Sequence, residues 1–177
     1  ELRVKPKFWQ LQLRHFDEID TNKMLDSPNM SSDEIVNFGN LVHLLSYEIT
    51  DEDDLILMWQ LHPDVEKPLP DLYVTGETYT ADGLLMQQIP DQRLASYEFP
   101  SYRWQPDQIN VGRIAANDWI GAGAVPNDYR LKLHLYSGSH DESIEAKSVD
   151  VYDAEGHAVG NEAVLELSLE NASEGPD

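Results

Sequence analysis

The sequence predicts an all-β protein: an antiparallel β-sandwich, jelly-roll or immunoglobulin-like, of about eight or nine strands. Three observations carry this expectation. Short apolar segments repeat with a period of two, most cleanly in Tyr129-Arg-Leu-Lys-Leu-His-Leu-Tyr136. Turn-forming groups such as Ala81-Asp-Gly83, Pro126-Asn-Asp128 and Ala154-Glu-Gly156 separate them at short intervals. The strand-helix-strand alternation of a parallel sheet is missing from the pattern.

Taken in order, Glu1 to Phe16 reads as a strand interrupted by Pro6, with Leu11 and Leu13 in alternation. Residues 17–40 read as a loop followed by a short helical turn, capped within Ser31-Ser-Asp-Glu34 and ended by Gly39, with Ile35, Val36 and Phe38 available to pack. Val42 to Thr50 and Leu55 to Leu61 form a hairpin about the acidic turn Asp51-Glu-Asp-Asp54. Leu55, Leu57, Trp59 and Leu61 share one parity and face the core, and Ile56 and Met58 predict partial cover on the opposite face. Asp71 to Thr80 and Leu84 to Ile89 pair across Ala81-Asp-Gly83. Tyr97-Glu-Phe-Pro-Ser-Tyr-Arg-Trp-Gln-Pro106 is a rigid aromatic connection between two strand-rich halves, a crossover from one sheet to the other. Ile109 to Ala115 is a strand with a bulge or bend near Gly112. Tyr129 to Tyr136, Ile144 to Tyr152 and Ala163 to Leu169 complete the set, and residues 171–177 read as a flexible tail. Residues 1–170 are expected to form a single domain, with 1–40 as an N-terminal extension or first strand.

With 33 acidic and 12 basic residues in 177, the chain carries a net charge of −21. Such a field repels the phosphates of nucleic acid and anionic lipid headgroups, so neither is expected as a partner. Cysteine is absent, which removes thiol catalysis, thiolate metal sites and disulfides. The chain opens on Glu1 and holds no apolar run near the roughly 18 residues that span a bilayer, so it reads as a soluble piece of something longer.

The consecutive order of Leu41 to Ile49, Leu55 to Leu61, Tyr73 to Tyr79 with Asp82-Gly83, Gln87 to Pro90, Phe99-Pro-Ser-Tyr-Arg-Trp104 with Pro106, and Tyr129 to Tyr136 follows one pattern of strands and turns. This pattern resembles the soluble β-sandwich domain appended to bacterial membrane glycosyltransferases of the dolichyl-phosphate-mannose mannosyltransferase-like class and to related multispanning surface proteins. The resemblance covers roughly residues 41–136 and brings no catalytic motif. It implies an extracytoplasmic domain, at the outer face of a bacterial plasma membrane or the cell surface, joined to the membrane only through a segment outside this chain.

No nucleophile elbow or spaced histidine pair accompanies the fold; the six histidines are scattered, and His134 reads as an outward strand residue. The acidic residues do not single out an acid and base pair for glycoside hydrolysis. Two ligand sites are carried forward as candidates. Asp51, Asp53 and Asp54 bring carboxylates together in one turn, the ligand type that calcium takes, against the plainer reading of solvated charge; no other cofactor is expected. Tyr97, Tyr102, Trp119 and Tyr136 form a candidate platform on which sugar rings stack by their apolar C–H faces, with Trp119 as the exposed loop residue and Trp59 and Trp104 as core pillars. The expected function is that of a non-catalytic accessory or recognition domain binding cell-envelope carbohydrate or protein. The alternatives are a domain assisting a membrane-embedded glycosyltransferase, or a structural spacer.

Overall fold

In the described chain the alternation becomes two antiparallel sheets packed on one apolar core. The computed structural model describes residues 36–121, 127–138 and 146–169. The chain divides into two units, Glu1–Asp33 and Glu34–Asp177, and every described residue belongs to the second. The strand expected in Glu1 to Phe16, the loop after it and the tail at 171–177 lie outside the described residues.

Among the described residues eleven strands are formed: β1 (Val36–Phe38), β2 (Val42–Ile49), β3 (Leu55–Leu61), β4 (Asp71–Thr80), β5 (Leu85–Arg93), β6 (Ile109–Ile114), β7 (Asp128–Gly138), β8 (Lys147–Val149), β9 (Val151–Tyr152), β10 (Ala158–Gly160) and β11 (Ala163–Ser168). A 3-10 turn at Ser101–Arg103 and a one-turn helix, α1 (Ala116–Trp119), are the other elements. One sheet has the order β10-β9-β1-β2-β3-β6, and the other β11-β7-β4-β5, with β8 pairing β7 beyond the end of β11. The expected sandwich is therefore present, with more strands than expected.

The surplus has identifiable origins. Val36 and Phe38, expected in a helical turn, instead lie in β1, because the backbone there is claimed on both sides by β2 and β9. The turn that follows places Gly39 at φ 64° and Asn40 at φ 54°, and Leu41 N–H closes it on the Phe38 carbonyl at 2.9 Å. Two consecutive positive φ values are those of a tight hairpin turn, which a Gly-Asn pair adopts readily. The expected strand from Ile144 to Tyr152 is two strands within its described part, since the chain leaves one sheet after Val149 and enters the other at Val151. β10 is wholly exposed and has no apolar alternation to announce it.

Leu55, Leu57, Trp59 and Leu61 are buried together, as their parity requires, and Ile56 is buried on the opposite face. They meet Leu72 and Val74 of β4, Leu131, Leu133 and Leu135 of β7, and Leu165 and Leu167 of β11. The Tyr47 hydroxyl of β2 reaches across to the Glu166 carbonyl of β11 at 3.1 Å. Gly112 makes no bulge: the β3–β6 ladder runs unshifted from Leu55↔Ile114 to Gln60↔Ile109. A side chain at Gly112 would instead collide with the Leu94 carbonyl oxygen, so the glycine admits a close backbone approach.

Leu94 directly follows β5, and from there the chain runs through the aromatic connection to β6 in the other sheet. Trp104 is buried and donates its indole N–H to the Phe99 carbonyl at 3.2 Å. The Ser101 hydroxyl donates to the Pro70 carbonyl and accepts the Leu72 N–H, both at 2.8 Å, pinning the crossover to the start of β4.

Candidate functional site

Period-two alternation leaves β4 with Leu72, Val74 and Thr78 buried and Tyr73, Thr75, Glu77 and Tyr79 half-buried on the opposite face. β7 does the same with Arg130, Lys132, His134 and Tyr136 outward. The register sets Tyr73 beside Tyr136, Thr75 beside His134, Glu77 beside Lys132 and Tyr79 beside Arg130. One face of the five-stranded sheet is thus polar and aromatic, and cross-strand neighbours fix each side chain's place.

A bulge in β5 hollows this face. Val74 pairs with Gln92 and Gly76 with Ile89, so Pro90 and Asp91 together oppose Thr75 alone. Pro90 has no N–H to lose from the ladder, and Thr75 Oγ1 donates to the Ile89 carbonyl at 2.8 Å. The resulting cavity, about 440 Å³, lies among Thr75, Gly76 and Glu77 of β4, Gln88 to Asp91 of β5, and His134 of β7. It is open to solvent rather than enclosed.

Hydrogen bonds hold the rim. The Tyr136 hydroxyl lies beside Asp91, and burial together with that carboxylate pushes the phenol up to about 12. The Tyr79 hydroxyl donates to Glu77, which holds this phenol above its ordinary value. Glu162 accepts Lys132 Nζ at 3.1 Å and lies 3.9 Å from His134 Nε2, while His134 Nδ1 is 3.2 Å from the Asn161 carbonyl. Lys132 Nζ also sits 5.7 Å from the centre of the Tyr79 ring.

An aromatic row borders the cavity. Tyr73 and Tyr136 stack with centroids 5.4 Å apart and planes 13° from parallel. The Arg93 guanidinium lies 5.8 Å from the Tyr73 ring centre and 4.7 Å from that of Tyr97. Arg93 is itself buried, giving Asp71 Oδ2 hydrogen bonds from Nε at 3.0 Å and Nη2 at 2.7 Å, and it also donates to the Tyr97 carbonyl. Burial opposes the charge on Arg93, but the Asp71 carboxylate outweighs it and leaves this guanidinium above its ordinary value.

Of the expected platform, the structure brings Tyr97 and Tyr136 into this row. Tyr102 is partly exposed on the 3-10 turn, with the Arg103 guanidinium 5.8 Å from its ring centre. Trp119 corrects the expectation: it is fully buried, not an exposed loop residue. Helix α1 turns its ring inward, where it meets Tyr129 edge-on at 6.1 Å, and its indole N–H donates to the Asp53 carbonyl at 2.8 Å. Trp59 and Trp104 are buried, as expected of core pillars.

The acidic turn divides its side chains. Asp51 and Asp53 are exposed, whereas Asp54 is buried. Asp54 Oδ1 accepts the Ala116 N–H at 3.0 Å, capping α1 where Ala115 supplies no side chain, and Oδ2 is held by Arg113. The three carboxylates therefore do not converge, and among the described residues no three His, Asp or Glu side chains are grouped to hold a metal ion. Among those residues, too, no helix is long and apolar enough to cross a membrane.

The reading from sequence missed Tyr73, Thr75, Glu77, Gln88 and Asp91. The outward parity of β4 and β7 was available as a signal, since it already separates Tyr73, Thr75 and Glu77 from the core residues between them. Comparison with protein-family models, curated proteins and solved structures finds no match to this chain, so the likeness to glycosyltransferase-linked domains gains no support from them.

Proposed function

We propose that this chain is a non-catalytic recognition domain of a bacterial cell-surface or membrane-associated protein, and that it binds carbohydrate on the outer face of the five-stranded sheet. The observation that carries the reading is the 440 Å³ cavity set beside the Tyr73–Tyr136 stack and Tyr97. A pyranose offers hydroxyls around its rim and C–H groups on its faces. Aromatic rings next to a polar hollow suit both.

The groups present match sugar hydroxyls in kind. Gln88 offers donors and acceptors, Thr75 Oγ1 keeps acceptor capacity while donating to the Ile89 carbonyl, and Glu77 and Asp91 offer acceptors. The extracytoplasmic setting rests on the strand-and-turn resemblance.

The test is calorimetric titration with a panel of neutral and charged oligosaccharides, run on the wild type and on Tyr136→Ala and Tyr73→Ala. The expected result is binding of at least one class, weakened about tenfold or more by either substitution, with unchanged circular dichroism and no shortened product after prolonged incubation. Absence of binding across the panel overturns the recognition reading. Product formation overturns its non-catalytic part.

A further inference from the structure

Resting on the carbohydrate reading above, the geometry points to a ligand class: we infer that the cavity takes a sugar bearing a protonated amine, with Glu77 and Asp91 receiving the ammonium group from β4 and β5.

Donor and acceptor accounting leads there. Two carboxylates line the cavity, Glu77 from β4 and Asp91 from β5. Glu77 already receives the phenolic hydrogen of Tyr79, and the Tyr136 phenol lies beside Asp91. The Tyr79 phenol is therefore committed as a donor, and a carboxylate has capacity for more than one hydrogen bond. What these two groups still offer is acceptor capacity.

Among the described residues, no lysine or arginine lines the cavity. Lys132, the cross-strand neighbour of Glu77, is engaged with Glu162 at 3.1 Å, and His134 lies against the Asn161 carbonyl at 3.2 Å.

A neutral hydroxyl would use this acceptor surplus weakly. An ammonium group brings three donors and a positive charge, and hydrogen bonds with charged partners are roughly twice as strong as neutral ones. The net charge of −21 draws cations toward the protein and keeps polyanionic glycans away. The ring carrying the amine can then lie on the adjoining Tyr73–Tyr136 stack.

The experiment compares oligomers of β-1,4-linked glucosamine with their N-acetylated counterparts by calorimetry at pH 6 in moderate salt. The protein is used as wild type, Glu77→Gln, Asp91→Asn, and a control, Asp82→Asn/Glu155→Gln, that removes charge away from the cavity. The expected result is at least about tenfold tighter binding of the amine form, a gap that either cavity substitution closes and the control leaves intact. Equal affinity for the two forms overturns the amine assignment while leaving carbohydrate recognition standing. A preference lost equally in the control also overturns it, since the attraction would then come from the general field. Failure of both oligomers, with binding of some other oligosaccharide on the panel, again removes the amine assignment alone. No binding to any member removes both.

Discussion

At the scale of single residues, Arg93 bears the largest electrostatic responsibility. Asp71 Oδ2 accepts two hydrogen bonds from it and a third from the Tyr73 hydroxyl at 3.2 Å, whereas the buried Oδ1 has no partner. Removing the guanidinium leaves that carboxylate buried and uncompensated. Arg93→Ala is expected to cost about 3–5 kcal/mol in denaturant unfolding. Arg93→Met combined with Asp71→Leu should recover most of the loss, because a buried ion pair replaced by apolar groups is often close to neutral. If the double variant is no more stable than Arg93→Ala, the pair is not the source of the cost. Arg93→Lys should fail too, since an ammonium cannot reproduce the planar fork that engages Asp71 while lying near the rings of Tyr73 and Tyr97.

At the scale of elements, the crossover decides how closely the sheets approach its backbone. Gly112→Ala is expected to destabilise by about 3 kcal/mol, the upper part of the range for over-packing, because the obstacle is the Leu94 carbonyl rather than a side chain that can turn away. A lower urea midpoint at unchanged slope checks it. This scale also separates what the residues disclose from what they conceal. β3, β4 and the inward set of β7 were legible because burial of one face enforces alternation, visible in Leu55 to Leu61 and Tyr129 to Leu135. β1 was not, since three residues held between two neighbours need no pattern of their own. The cavity was half legible. Parity turns Tyr73 and Glu77 outward, but their meeting with Asp91 depends on the β5 bulge and on a register that no local residue declares. Trp119 was misread because a tryptophan among Asn, Asp and Gly looks exposed until a helical turn folds it inward.

At the scale of the whole molecule, charge and pH set the stability. His43 of β2 faces His62 with ring centroids 4.8 Å apart, and burial, aided by that neighbour, lowers its affinity for a proton. Its ordinary value is 6.5, so below that pH the unfolded chain takes up a proton that the folded chain resists. The stability linked to this group is therefore present above pH 6.5 and is lost on acidification toward its lowered folded value. Acid also relieves the repulsion of a −21 chain, so the two effects oppose each other. The expected observation is a difference: wild type should lose more stability than His43→Gln between pH 7.5 and pH 5, measured at constant ionic strength. Parallel curves would show that His43 is not the responsible group.

The passage from β8 to β9 has a consequence for how this molecule opens. Asp150 alone separates a strand of one sheet from a strand of the other, and its carbonyl accepts the Gly39 N–H of the β1–β2 turn at 2.8 Å. One residue spans at most about 3.6 Å. At this corner the sandwich is seamed by the chain itself, and neither sheet can swing away without first stripping β8 or β9 from its partner. Amide exchange at Val149 and Val151 should accordingly proceed in one step, since an opening there is an event of both sheets at once.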